Sequence, residues 1–411
     1  MSETKYFYDI HCHAMNLSHP NLYAMVKRKW TLALLMSPLA PLAQIFLKKK
    51  VKRASNLLSV MENDVTDFFL ITEFFLKDRQ SLRIGDTKFN KIVLTPLLMD
   101  FGCKDIKSDT FYNRAPQKPI AEQVVDVFNG IKDYCRYKLI EKNGDIDYGE
   151  DTKEKKLFEI YPFLGINTRN YKLKDIDDLF DKYFSEYKHD HQDLYGRMGT
   201  FEGDIDDMKS NYFAGVKVYP PLGFDPWPQN DTEELDKVQC LYQHCCEKDI
   251  PITTHCSDGG FSIVDDAKEF TSPEKWRTVL SQKKYSGLRL NFAHFGRQGN
   301  KWYGARNRDW ENMIVELILK RDNNVYVDFS YRGCEDGYYA DLKKLIDKQA
   351  GEDKELLKQR ILFGSDFMVN LLDSDSYNQY LAGFMAKRNP LGREERMRFS
   401  STNPERFLFG S

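Results

Sequence analysis

Two histidines two residues apart, His11 and His13, close the apolar run Tyr6-Phe7-Tyr8-Asp9-Ile10 near the start of the chain. Alternate side chains of a strand share a face, so a strand ending in His-x-His aims two imidazoles at one point. A divalent metal needs that of a rigid scaffold. The chain holds only eight histidines, and two others end later strand-like runs: His255 after Thr253-Thr254, and His294 after Phe292-Ala293. An acid, Asp366, closes the run Ile361-Leu362-Phe363-Gly364-Ser365 in the same way. His11, His13, His255 and Asp366 together offer three nitrogens and one oxygen, ordinary ligands for zinc and its relatives. Asp9 shares the parity of the two histidines, which makes it a candidate for orienting a ligand from behind. Lys217 and Tyr219 share a face, while Val216 and Val218 point the other way. His19, His189, His191 and His244 sit in loop or helix patterns and are expected at the surface. Cys12 and Cys256 should point away from the pocket and pack.

Eight runs rich in Val, Ile, Phe and Tyr carry these residues, at 5–13, 91–100, 157–167, 213–220, 251–256, 288–295, 324–331 and 360–367. Several are apolar on both faces, as parallel strands covered by helices are. Amphipathic stretches at 120–139, 175–187, 233–246, 310–321 and 338–349 alternate with them. Strands alternating with helices predict an α/β chain, a single (β/α)8 TIM barrel. Spacing supports it further: Lys217 to His255 is 38 residues and His255 to His294 is 39, each about one βα unit. The candidates then fall on the first, fourth, fifth, sixth and eighth strands, always at the C-terminal end, where such barrels carry their chemistry. The surplus of the first half lies mainly in 14–53, which follows the first strand directly and is expected to form an inserted helical lid over the mouth. The highly charged 142–156 connection reads as a solvated loop.

No repeat, low-complexity tract or Gly/Ser linker divides the 411 residues, so 1–411 reads as one domain. A formal net charge of −2 argues against a nucleic-acid partner. Eight cysteines follow no zinc-finger or disulfide spacing, and no leader-like run precedes the first strand; both fit reduced thiols in a cytoplasmic protein. The segment 30–47 is almost uncharged between Lys27-Arg28-Lys29 and Lys48-Lys49-Lys50. Its length just suffices to cross a bilayer, but Pro38 and Pro41 would break one helix, and basic flanks on both sides favour no orientation. A buried lid or a contact between copies in a homo-oligomer is expected over membrane contact.

The ordered set Asp9-Ile10-His11-Cys12-His13, Gly215-Val216-Lys217, Thr254-His255, Phe292-Ala293-His294-Phe295-Gly296, Phe363-Gly364-Ser365-Asp366 and Asn403-Pro404-Glu405-Arg406-Phe407 resembles the amidohydrolase superfamily. It is most similar to the amidohydrolase-related branch of hydrolases, lactonases and semialdehyde decarboxylases. The resemblance spans nearly the whole chain and implies a divalent metal, Zn(2+) first, held by His11, His13, His255 and Asp366. In binuclear members a lysine placed like Lys217 is carboxylated and bridges two ions; the related branch resembles a one-ion site with a free amine, so one ion is expected over two. Asp366 would take a proton from a metal-activated water, and His294 would serve as a second-metal ligand or a substrate-polarising acid/base. Lys217, Tyr219, Trp227, Arg297 and Arg332 follow strands and are expected to touch a small-molecule substrate. Hydrolysis of an amide, ester or lactone is the reading, non-oxidative decarboxylation of a small carboxylic acid the alternative.

Overall fold

The computed structural model describes residues 4–19, 48–77, 82–102, 119–262, 264–299 and 306–410. Each of the eight runs contains a strand: β1 (Tyr6–Cys12), β2 (Lys91–Pro96), β3 (Phe158–Ile160) and β4 (Phe163–Gly165), β5 (Gly215–Val218), β6 (Ile252–Thr254), β7 (Leu290–Phe292), β8 (Val325–Asp328) and β9 (Ile361–Leu362). The third run is split at Pro162, which has no N–H to give a ladder. Its halves pair with different neighbours, β3 with β2 and β4 with β5.

All these strands pair in parallel, β1-β2-β3 in one sheet and β4 to β9 in sequence order in the other. The sheets meet at both edges. Leu97 bridges Phe163 at one, where the Leu98 N–H donates to the Phe163 carbonyl at 3.1 Å. At the other, Cys12 bridges Phe367 and the Ile10 N–H donates to the Phe363 carbonyl at 3.2 Å. The result is a parallel α/β fold consistent with a TIM barrel.

The helices that matter below are α1 (Lys48–Glu62), α2 (Val65–Lys77), α3 (Ile120–Arg136), α4 (Leu173–Phe184), α5 (Thr232–Glu247), α6 (Asp309–Leu319), α7 (Tyr338–Asp347), α8 (Tyr377–Met385) and α9 (Asn403–Phe409). Their apolar faces bury the outer sides of the strands, such as Phe7, Val216, Val218 and Phe363. A second cluster, Tyr8, Ile10, Phe163, Tyr326 and Leu362 with Phe407 to Phe409, fills the space between strands. The aromatic tail of α9 acts as its plug: Phe407 lies 5.2 Å from the Tyr326 ring and 6.3 Å from that of Phe163. Asn403 secures the helix by donating to the Lys358 and Ile361 carbonyls, both at 2.7 Å.

Of the 14–53 insertion, residues 20–47 lie outside the described residues, and with them the apolar 30–47 segment; its end begins α1. The 142–156 connection is more ordered than a loop. Strands Tyr137–Lys142 and Asp145–Glu150 form a hairpin turned by Asn143-Gly144, both at positive φ. Asn-Gly is the preferred pair for such a turn, because its mirror-image geometry matches strand twist. Among the described residues no helix is long and apolar enough to cross a membrane, and the described cysteines are free. Removing the plug ring tests the packing. Phe407→Ala should lower stability in urea by about 3–5 kcal/mol, the range for emptying a buried aromatic site; an unchanged unfolding midpoint would contradict it.

Candidate metal centre

Strand β1 does not run regularly to its end. Its register with β2 shifts between Asp9 and Cys12, where three steps on β1 match two on β2. Such a bulge turns the chain by one residue. Tyr8 and Ile10 therefore lie in the inner cluster, Cys12 in the outer one, and His11 and His13 turn inward above Ile10. Asp9 does not share their face, contrary to the simple alternation. Its carboxylate accepts from Tyr377 Oη on α8 at 2.9 Å and from the Ser365 N–H at 2.9 Å, so it fixes the strand end that carries Asp366 and touches neither imidazole.

Four imidazoles and one carboxylate converge, all almost fully buried. His11 Nε2 and His13 Nε2 lie 3.4 and 3.1 Å from Asp366 Oδ1. His294 Nε2 lies 3.1 Å from His255 Nδ1. Donor atoms of His11, His294 and Asp366 all fall within 4.8 Å of one another.

The far nitrogen of each ring decides what the near one can do. His11 Nδ1 faces Asp328 Oδ2 at 3.1 Å, His13 Nδ1 the Leu97 carbonyl at 3.0 Å, and His255 Nε2 the Gly259 carbonyl at 3.1 Å. His294 Nδ1 faces Ser330 Oγ at 2.9 Å, and that hydroxyl gives its own proton to Asp328. Every far nitrogen meets an acceptor and must carry the proton. In a neutral ring each near nitrogen is then a bare lone pair. Lone pairs of His255 and His294 face each other, and those of His11 and His13 face a carboxylate, with no hydrogen between. His11 Nε2 makes no hydrogen bond. A buried unsatisfied polar atom costs about 1–3 kcal/mol, so such a set is not retained for stability. A cation at the convergence satisfies all of it, and imidazole nitrogen with carboxylate oxygen is the donor set that zinc and related divalent ions take. These residues fit a divalent metal.

Electrostatics agree for three of the four rings. Burial holds His13 and His255 below the usual histidine range and pushes His294 down to about 3, so these rings are neutral. His11 alone is raised: burial pulls it down, but the charge and hydrogen bond of Asp328 outweigh that. Asp366 is buried, which favours the neutral acid, yet the imidazoles packed against it hold it well below the carboxylate range. Lys217, buried at the middle of β5, is lowered to about 8 by burial against the pull of Asp328 and Asp366, and its Nζ has no hydrogen-bond partner.

The remaining expected residues divide. Tyr219 packs its ring 4.5 Å from His255 and accepts the Phe261 N–H, within an apolar cluster of Met99, Phe101 and Leu222. Trp227 packs on the outer core. Arg297 pairs with Glu335 at 2.6 Å, and Arg332 is buried against Glu311 at 2.9 Å and over the Tyr338 ring. Both guanidinium groups are committed to protein carboxylates. Of the four histidines expected at the surface, His19 is instead buried, with Nε2 2.8 Å from Asp126. His191 stacks on Phe409 and pairs with Glu159 at 2.7 Å. Sequence reasoning passed over Asp328 and Ser330, although Asp328 ends β8 as Asp366 follows β9, which was the available signal.

Two backbone features hold these side chains. His294 and Asp366 have φ of 61° and 60°, the left-handed region that non-glycine residues seldom adopt and that clusters at functional sites. Gly364 is required for another reason: a Cβ there would lie 2.8 Å from His11 Cβ and 3.1 Å from Ser330 Cβ.

Residues 199–410 match the family model described as Amidohydrolase. No curated protein matches the chain. Among solved structures, a probable 2-pyrone-4,6-dicarboxylic acid hydrolase from Acinetobacter baumannii is similar at 12% identity and a TM-score of 0.48, over 98% of this chain and 99% of that one. A 5-carboxyvanillate decarboxylase from Novosphingobium aromaticivorans, with bound manganese, is similar at 11% identity and 0.44, over 99% and 97%. A phosphotriesterase homology protein from Escherichia coli with phosphate in its active site gives 10% and 0.44, over 98% of each. Likeness at that level carries nothing about substrate.

Two substitutions test the cradle. Asp328→Asn removes the acceptor that fixes the His11 proton on Nδ1 and should weaken zinc binding about 10–100-fold in competition titrations, as loss of a partner behind a ligand does. Gly364→Ala should weaken it by displacing His11, without touching any donor atom. Wild-type affinity in both variants would contradict the assignment of the lone pairs.

Proposed function

The chain belongs to the amidohydrolase family, and from that premise we propose that it is a hydrolase of an amide, ester or lactone bond in a small molecule, built on a closed (β/α)8 barrel. The hydrogen bonds and bridges at both sheet edges support closure. The observation that carries the reading is the convergence of four buried imidazoles on one another and on one carboxylate, each ring with its far nitrogen against an acceptor.

His11, His13, His255 and Asp366 would hold one divalent ion, zinc by its donor set, with His294 beside it. When bound, such an ion supplies Lewis acidity, polarising a carbonyl oxygen and making water acidic near neutral pH. Asp366, ionised and in contact with two of the imidazoles, is the group to accept the proton of the attacking water and return it to the leaving group. His294 carries its proton on Nδ1, toward Ser330, so its Nε2 can accept a proton or bind a cation but cannot donate to an oxyanion. Donation to the developing charge falls to Lys217, whose buried Nζ has no hydrogen-bond partner. An unmodified Lys217 amine goes with a single ion. Tyr219, Phe101, Met99 and Leu222 offer an apolar wall beside His255 for the body of the substrate.

Decarboxylation on this scaffold would call for free guanidinium groups to grip a carboxylate, and Arg297 and Arg332 are both paired within the protein. This favours hydrolysis.

Metal content and turnover test the reading together. The central site of the purified protein should carry about one zinc per chain, lose it and its activity on a lactone, ester and amide panel with a chelator, and regain both on addition of zinc. His11→Ala should empty the site, while Asp366→Asn should lower kcat by about 10²–10⁴. Product formed in isotopically labelled water should carry the label. Release of carbon dioxide without label incorporation would replace hydrolysis with decarboxylation, and metal content unchanged by His11→Ala would remove the site itself.

A further inference from the structure

On the outer wall, away from the central cluster, Cys240 and His244 stand four residues apart on α5 and so share one helix face. Asp177 of α4 faces them. The Cys240 thiol and the His244 Nε2–H both donate to the same oxygen, Asp177 Oδ1, at 3.1 and 2.8 Å. The three donor atoms lie within 4.8 Å of one another. The His244 ring lies flat on Phe180 of α4, with centroids 4.6 Å apart and planes 5° apart, so packing fixes where Nε2 points. The Asp177 side chain is 52% exposed, which leaves the cluster open to an ion from solution.

We propose that Asp177, Cys240 and His244 bind a second zinc ion, one that ties α4 to α5. A histidine–aspartate pair alone accounts for two of these groups. It does not account for a thiol aimed at the same carboxylate oxygen, two protonated groups converging where one cation would replace both protons. Thiolate sulfur, imidazole nitrogen and carboxylate oxygen together select a borderline-soft ion such as zinc over magnesium or calcium. Three protein donors leave the fourth tetrahedral position to water. On binding, the thiol releases its proton to solvent and the sulfur takes the metal, while the His244 Nε2 proton moves to Nδ1 and the bared Nε2 takes the metal. One proton leaves per ion bound.

The thiolate makes this site separable from the central one, whose donors are nitrogen and oxygen only; Cys12 and Cys256 lie in the outer core. Cobalt(II) is the probe, because thiolate coordination gives it an intense near-ultraviolet charge-transfer absorption. Titration of the full chain should raise that band to saturation. Cys240→Ser should abolish it, and His244→Ala should weaken cobalt binding at this site by more than about tenfold, the smallest loss seen when even an outer partner is removed. Cys246→Ser and His11→Ala should both keep it, the second showing that the outer site fills without the central one. Circular dichroism of each variant separates loss of the site from loss of the fold. Saturating cobalt with no thiolate band, or a band that survives Cys240→Ser, would overturn the proposal while leaving the central site untouched.

Discussion

One carboxylate, Asp328, organises the centre of this protein. It accepts from His11 Nδ1, from Asn291 Nδ2 at 2.7 Å, from the backbone N–H of His294 at 3.1 Å and from both the N–H and the hydroxyl of Ser330. Those bonds join the ends of β1, β7 and β8. They also set the protonation pattern, since an ionised acceptor behind His11 and a spent hydroxyl behind His294 force both rings to turn bare nitrogens inward. Burial alone would raise the Asp328 pKa, yet His11 and its other partners hold it well below the usual range, so the acceptor stays ionised.

Around that hub the protein keeps features that a fold selected for stability would lose. Left-handed backbone at His294, Tyr331 and Asp366 costs about 1–3 kcal/mol each, and buried lone pairs without donors add to it. The cost is concentrated at the C-terminal ends of the strands. The opposite side is packed with Tyr8, Phe163, Tyr326 and the α9 aromatics. Division of the interior into an apolar plug and a polar mouth lets the strained end persist.

Much of this was legible in the chain. Apolar runs bounded by turn residues identified the strands, because parallel strands buried on both faces have a strong composition signal. The ends of those runs carry His11, His13, His255, His294 and Asp366, the five side chains that converge. What failed was fine geometry. Period-two parity put Asp9 beside the histidines, and a bulge, which one sequence does not announce, moved it to the other face. Arg297 and Arg332 were expected at substrate from position alone, and their carboxylate partners Glu335 and Glu311 are visible only in three dimensions. His19 was expected at the surface, since nothing nearby in sequence predicts its contact with Asp126, 107 residues away. The Asn143-Gly144 hairpin was readable and passed over under a high local charge.

The central claim is that the inward nitrogens are lone pairs awaiting a cation. Crystals of zinc-loaded protein, measured at and below the zinc absorption edge, address it directly. The account predicts an anomalous peak within coordination distance of His11 Nε2, His13 Nε2 and Asp366, about 2.0–2.2 Å for nitrogen and oxygen donors. Far nitrogens should remain on Asp328 and the Leu97 carbonyl. Zinc bound elsewhere only, or imidazoles turned so that the inward nitrogens carry protons, would contradict it.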